Sequence, residues 1–177
     1  MGKKTIAVLF TSCALGLAAY AQSSQPSSLS SGDKSFMQKA AEGGSAEVQL
    51  GQLAEQKASS QAVRDFGKRM VTDHTQAGDK LKGIADSKFV NVTSSLDAKD
   101  KALYDKLSGL SGAAFDREYM RAMVKDHKAD VAEFQKEANS GRDQDVKSFA
   151  SLTLPTLQDH LRQAEKVDSS VGASAKR

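Results

Sequence analysis

Between Phe36 and Val167 the apolar side chains recur at three- and four-residue spacings in five successive runs, the period of an amphipathic helix. Each run can bury only one stripe, so the runs must pack on one another. Phe36, Ala40, Gly43, Leu50 and Ala54 predict a first helix over 34–58, capped by Asp33 or Ser31. Ser59 and Ser60 break that run and cap a second over 60–86, carried by Val63, Phe66, Met70, Ala77, Leu81 and Ala85. The β-branched segment around Val90, Val92 and Thr93 has no strand to pair with and reads as a connector. Asp97 then caps a short helix bearing Leu103, Tyr104, Leu107 and Leu110, which Gly109 and Gly112 end. A long helix over 114–139 follows, with Phe115, Tyr119, Met123, Val131, Phe134 and Ala138 on one stripe. Gly141 closes it, and Asp143 or Asp145 opens the last, in which Pro155 should kink the chain near Ser151. Four long helices in two hairpins, joined by a longer connection with a short extra helix, give an all-α, ferritin-like four-helix bundle over 33–168. The small, polar stretch 169–177 is expected to be a disordered tail.

The chain begins as an exported protein begins. Lys3 and Lys4 precede an apolar run from Ile6 to Ala19, and small residues around Ala21 mark a cleavage point, so 1–21 reads as a signal peptide. The run falls short of the roughly 20 residues of a spanning helix, and Phe10, Thr11 and Ser12 make a poor lipid-attachment motif before Cys13. Cleavage removes the only cysteine and with it every thiolate mechanism. A Ser- and Gln-rich tether, 22–32, leads into the bundle, and the location implied is the periplasm or beyond, with no integral span after cleavage. With 25 basic and 22 acidic residues, the charge is too balanced for a nucleic-acid partner.

Every histidine follows an aspartate and lies on an apolar stripe. His74 comes four residues after Met70, His127 four after Met123 and His160 three after Leu157, so each imidazole points where core side chains point. Glu47 takes the matching place on the first helix, between Gly43 and Leu50. At about 1.5 Å per residue, Glu47 sits about 16 Å before the end of its helix, His74 about 21 Å after the start of its own, His127 about 18 Å before an end and His160 about 24 Å after a start. Because both hairpins reverse direction, all four groups fall near mid-height. One carboxylate and three imidazoles in one layer form a ligand set suited to Zn, Cu, Fe or Mn. Asp73, Asp126 and Asp159 lie about 100° around the helix from their own histidines, so each either reaches a histidine of an adjacent helix, as outer support, or stands on the solvated flank of its own. Met70 and Met123, one turn from two histidines, offer sulfur to copper or simply fill the core. Three imidazoles sharing a buried layer should also have depressed pKa values.

These residues resemble a bacterial family, the domain-of-unknown-function 4142 family described as ferritin-like and as a predicted outer membrane protein. The motifs that carry the resemblance are Glu47-Val48-x-Leu50-Gly51-x-Leu53-Ala54, Met70-Val71-x-Asp73-His74, Phe115-Asp116-x-x-Tyr119 with Met123-Val124-x-Asp126-His127, and Leu154-Pro155-x-Leu157-x-x-His160-Leu161. The resemblance implies the bundle fold and export, and it implies no reaction. Ferritin-like di-iron proteins place a glutamate three residues before each ligating histidine. Here those positions hold Val71, Val124 and Leu157, so ferroxidase chemistry is not expected and the chain reads as leaning away from an enzyme. Two readings stay open: an envelope protein that binds a transition metal through Glu47, His74, His127 and His160, or a non-catalytic structural or stress-related envelope protein whose buried histidines satisfy one another.

Overall fold

A computed structural model describes residues 29–174, so the expected signal peptide and most of the tether lie outside the described residues. Among these there are five α-helices and no strand: α1 (Ser31–Lys57), α2 (Gln61–Ser87), α3 (Ala98–Ser108), α4 (Gly112–Ser140) and α5 (Gln144–Ser174). Every expected helix is present, with bounds shifted by a few residues. The cap of α1 is Ser30 rather than Ser31 or Asp33: its hydroxyl accepts from the Asp33 N–H while Asp33 accepts from the Ser30 N–H, a reciprocal capping box. Ser60 occupies the cap position of α2, yet its hydroxyl does not cap; Asp116 of α4 accepts the Ser59 and Ser60 N–H groups instead. Pro155 lies inside α5, which continues as one helix on both sides.

The tail was expected to be disordered from 169, but α5 runs on to Ser174. Val171 continues the stripe of Val167 at four residues' spacing and packs on the core beneath it, which gives the last turns something to bury.

α1 pairs with α2 and α4 with α5 in two hairpins, which join through α1 against α4 and α2 against α5. At one end, Asp33 of α1 accepts the Arg142 and Asp143 N–H groups of the α4–α5 turn, while Lys88 just past α2 pairs with Asp143 and Asp145. At the other end, the α1–α2 turn meets the start of α4 through Asp116, and Lys57 donates to the Ser108 carbonyl of α3. α2 and α4 therefore run the same way, and the crossover carrying α3 climbs the whole height of the bundle. Close helix approach in the first hairpin depends on two glycines: a Cβ on Gly51 would lie 2.6 Å from the Gly67 carbonyl oxygen.

The core is split in two. Leu50, Phe66, Met70, Phe115, Tyr119 and Met123 belong to a cluster at the Asp116 end. Phe36, Met37, Leu81, Phe134, Phe149 and Leu157 belong to one at the Asp33 end, where Phe36 meets Phe134 edge to face at 4.9 Å. Polar side chains fill the layer between them.

Candidate metal centre

Four helices each send one residue into that layer: Glu47 from α1, His74 from α2, His127 from α4 and His160 from α5. All four are buried, His127 and His160 completely. The imidazole centroids form a nearly equilateral triangle, 5.3 Å between His127 and His160, 5.3 Å between His74 and His160 and 5.9 Å between His74 and His127. One ring nitrogen from each lies within 4.8 Å of the others. The height estimate made from helical rise alone thus corresponds to contact.

Hydrogen-bond partners fix where the protons are. His127 Nδ1 is 2.9 Å from the Met123 carbonyl oxygen, which can only accept, so Nδ1 carries the hydrogen. His160 Nε2 is 2.7 Å from Asp73 Oδ2, so that nitrogen donates to the carboxylate. The remaining nitrogens, His127 Nε2 and His160 Nδ1, face each other at 3.3 Å. In neutral rings both bear lone pairs, an arrangement that a proton or a metal ion between them would relieve.

The surroundings disfavour charge on all three rings. Burial pushes His74 well below the usual histidine range, and the charges that His127 and His160 would carry push it further. His160 is lowered to about 4, chiefly by burial, against the opposing pull of Asp73. Burial lowers His127 as well, with Asp130 and the Met123 carbonyl acting the other way. Glu47 is raised well above the ordinary carboxyl range by burial and then by Asp126 and Asp100. His74 Nε2 approaches Glu47 Oε2 at 3.4 Å and His127 Nδ1 approaches Glu47 Oε1 at 3.5 Å, between groups whose charged forms burial disfavours. None of the Glu47 oxygens nor His74 Nε2 has a hydrogen-bond partner among the described residues, although all are buried.

Of the aspartates expected as outer support, only Asp73 reaches a histidine. Asp126 accepts from Lys99 at 2.9 Å, and Asp159 accepts from Arg69 at 2.6 Å and from Arg162 at 2.7 Å. The correction follows from angle: at about 100° per residue, these two side chains leave the core where a neighbouring helix presents a basic group instead of an imidazole. Arg69 also donates to Asp73, at 3.1 Å, and so holds the aspartate that holds His160. Met70 and Met123 are fully buried in the cluster above the layer. Tyr119 stacks on Phe115, and its buried hydroxyl has no hydrogen-bond partner among the described residues. Sequence reasoning missed Asp130, whose carboxyl burial and the nearby Glu47 push up to about 7; its place one turn after His127 was the available signal.

A family model described as Domain of unknown function (DUF4142) matches residues 18–167. Among curated proteins no match is found. Among solved structures the chain is similar to the crystal structure of a DUF305 fragment from Deinococcus radiodurans, with a TM-score of 0.71 and 15% identity over 80% of this chain and 98% of that one. It is also similar to CopM in the Cu(I)-bound form, with a TM-score of 0.63 and 18% identity over 76% of this chain and 93% of that one. At these identities the likeness is one of fold.

Proposed function

The chain belongs to the DUF4142 family, whose description assigns no reaction, and from its buried layer we propose that it binds one transition-metal ion, copper before other metals, through His74, His127 and His160. The observation that carries this reading is the opposed pair of lone-pair nitrogens. Two nitrogens bound to one tetrahedral ion at about 2.0–2.1 Å stand about 3.3–3.4 Å apart, and His127 Nε2 and His160 Nδ1 stand at 3.3 Å. Each ring also donates its other N–H to a carbonyl or carboxylate, the support that metal-bound histidines ordinarily have. His74 would supply the third nitrogen and Glu47 a carboxylate beside it; the unpartnered atoms of both argue against a layer that merely satisfies itself.

Copper stands first for two reasons. Imidazole donors suit copper, which heads the affinity order among first-row divalent ions. CopM, whose fold this chain shares, was solved in the Cu(I)-bound form. The expected leader places such a protein in the bacterial envelope, outside the reducing cytosol. Its work there is to hold or pass on the ion.

Elemental analysis of protein purified without chelators or a histidine tag, followed by titration of the apoprotein with Cu(I), Cu(II), Zn, Mn and Fe(II), tests the reading. One copper per chain is expected, lost in a His127→Ala, His160→Ala variant that still folds. If no metal copurifies and none raises the melting temperature, the layer is structural.

A further inference from the structure

From the walls around Glu47 we infer that the buried layer communicates with solvent through a cation passage between α1 and α4, kept open by Gly43 and closed at its mouth by Lys99 of α3. The inference rests on the metal-binding reading and adds the route by which an ion reaches the imidazoles. Glu47 lines a cavity of about 60 Å³ together with Gly43, Lys99, Asp100, Asp126 and Asp130. A second, smaller cavity of about 30 Å³ includes Gly43 and Asp130 again and has His74 in its wall. The two spaces share Gly43 and Asp130 as their common wall, with Glu47 on one side and the imidazole on the other.

The lining has the chemistry of a cation path. Four carboxyl groups and one lysine line it, so the wall is rich in the oxygen donors a cation can meet, two of them, Asp100 and Asp126, paired with Lys99 at the mouth. Asp100 and Asp126 are largely buried, with side chains 12% and 16% exposed, while Lys99 is 62% exposed and bridges them from outside at 3.8 and 2.9 Å. An exposed lysine can swing away at little expense in free energy, whereas the carboxylates it covers stay in place. At the inner end Glu47 is 4% exposed, and both its oxygens lack a hydrogen-bond partner. A buried acceptor left free on this wall is the group that an incoming cation would meet before the imidazoles.

Gly43 supplies the independent observation. It sits inside a helix, where glycine is less favourable than alanine, and a Cβ built on it meets nothing within 4 Å. No turn, close helix crossing or left-handed backbone calls for glycine at this position. What a larger side chain would occupy is the passage itself.

Anaerobic stopped flow with Cu⁺ delivered from acetonitrile solution, read by tyrosine emission, gives the uptake rate; transfer to bicinchoninate gives the release rate and, at equilibrium, the affinity. Gly43→Val is expected to slow uptake and release together by about tenfold, a barrier of about 1.4 kcal/mol, with affinity unchanged and melting temperature equal or higher. Gly43→Ala should slow both less, and it serves if the valine variant packs poorly. Lys99→Met should speed uptake. Gly83→Val, on a helix position outside both cavities where a Cβ also meets nothing, should change neither rate. Wild-type protein that takes up Cu⁺ at the same rate as the Gly43 variants overturns the passage while leaving the metal site standing; so does equal slowing by Gly83→Val. If wild type binds no Cu⁺ at equilibrium, the metal reading falls and the passage with it.

Discussion

Asp33, Glu47 and Asp116 are buried to nearly the same depth, 1%, 4% and 3% exposed, yet they are treated differently. Asp33 at one end of the bundle accepts backbone N–H groups from Ser30, Arg142 and Asp143. Asp116 at the other end accepts those of Ser59 and Ser60 and the Ser59 hydroxyl. Glu47 at mid-height accepts nothing. Helix termini carry N–H groups with no partner in their own helix, so a carboxylate placed at a bundle end finds donors ready-made. At mid-height every backbone N–H is already bonded along its helix, and the groups nearest Glu47 are His74 and His127, whose charged forms burial disfavours. An acid at an end repays its burial by tying turns together, whereas one in the middle remains unpaired until something positive arrives.

The contrast is broken most severely at the ends. Asp116→Ala removes three hydrogen bonds to a buried carboxylate and leaves the N–H groups of Ser59 and Ser60 without that acceptor, for an expected loss of about 3–5 kcal/mol in urea unfolding. Glu47→Leu in the apoprotein should leave stability unchanged or raise it by about 1–3 kcal/mol, because an unpaired buried carboxyl is replaced by an apolar side chain of similar size. Equal losses from the two would show that Glu47 has a structural partner after all.

Metal sharpens the same contrast. Copper at a hundredfold excess over its dissociation constant should stabilise wild type by about 2.7 kcal/mol, readable as a rise in melting temperature, and should do nothing for the His127→Ala, His160→Ala variant. Next in size is Asp73→Asn, which weakens the acceptor that orients His160 and should lower copper affinity about 10- to 100-fold. Asp159→Asn touches the same Arg69 but no histidine, and affinity should hold. If both lower it alike, Arg69 rather than Asp73 positions the ring.

The helices and the layer were legible because both depend on period and rise. Stripes at 3.6 residues per turn identify the faces, and 1.5 Å per residue is enough to match heights across antiparallel hairpins. The depressed histidine pKa values followed from that placement and are found at all three rings. What the pattern does not carry is the identity of partners across helices. Asp73, Asp126 and Asp159 occupy equivalent sequence positions, and only the neighbour each meets decides that one holds an imidazole and two hold basic side chains. The capping of α2 by Asp116 was hidden for the same reason, since the two residues are 56 apart in sequence. The helical tail was missed because one residue, Val171, among small polar ones is enough to continue a stripe when a core lies beneath it.

The smallest expected effect belongs to the satisfied end itself. Burial and the nearby Asp33 carboxylate raise the Glu137 carboxyl to about 7, with Glu133 adding to the rise and Lys136 opposing it. Burial alone would raise Asp33 too, but the N–H groups of Arg142 and Ser30 hold it below its ordinary value, so of the two acids Asp33 keeps the charge and Glu137 keeps the proton. A group whose pKa is higher in the folded than in the unfolded chain stabilises fully below its unfolded value, about 4.3, and loses that contribution as pH rises through 7. Water at this half-exposed rim screens the pair, which leaves an effect of about 1 kcal/mol. The histidines work the other way, stabilising above about 6.5 and losing that as pH falls toward 4, so a profile of wild type alone would mix two opposite slopes. Urea unfolding of wild type and Glu137→Gln in parallel from pH 5 to 8 separates them, because the histidine contribution is common to both. Wild type should lose stability relative to the variant as pH rises through that range. A constant difference would mean that Glu137 is not held protonated beside Asp33.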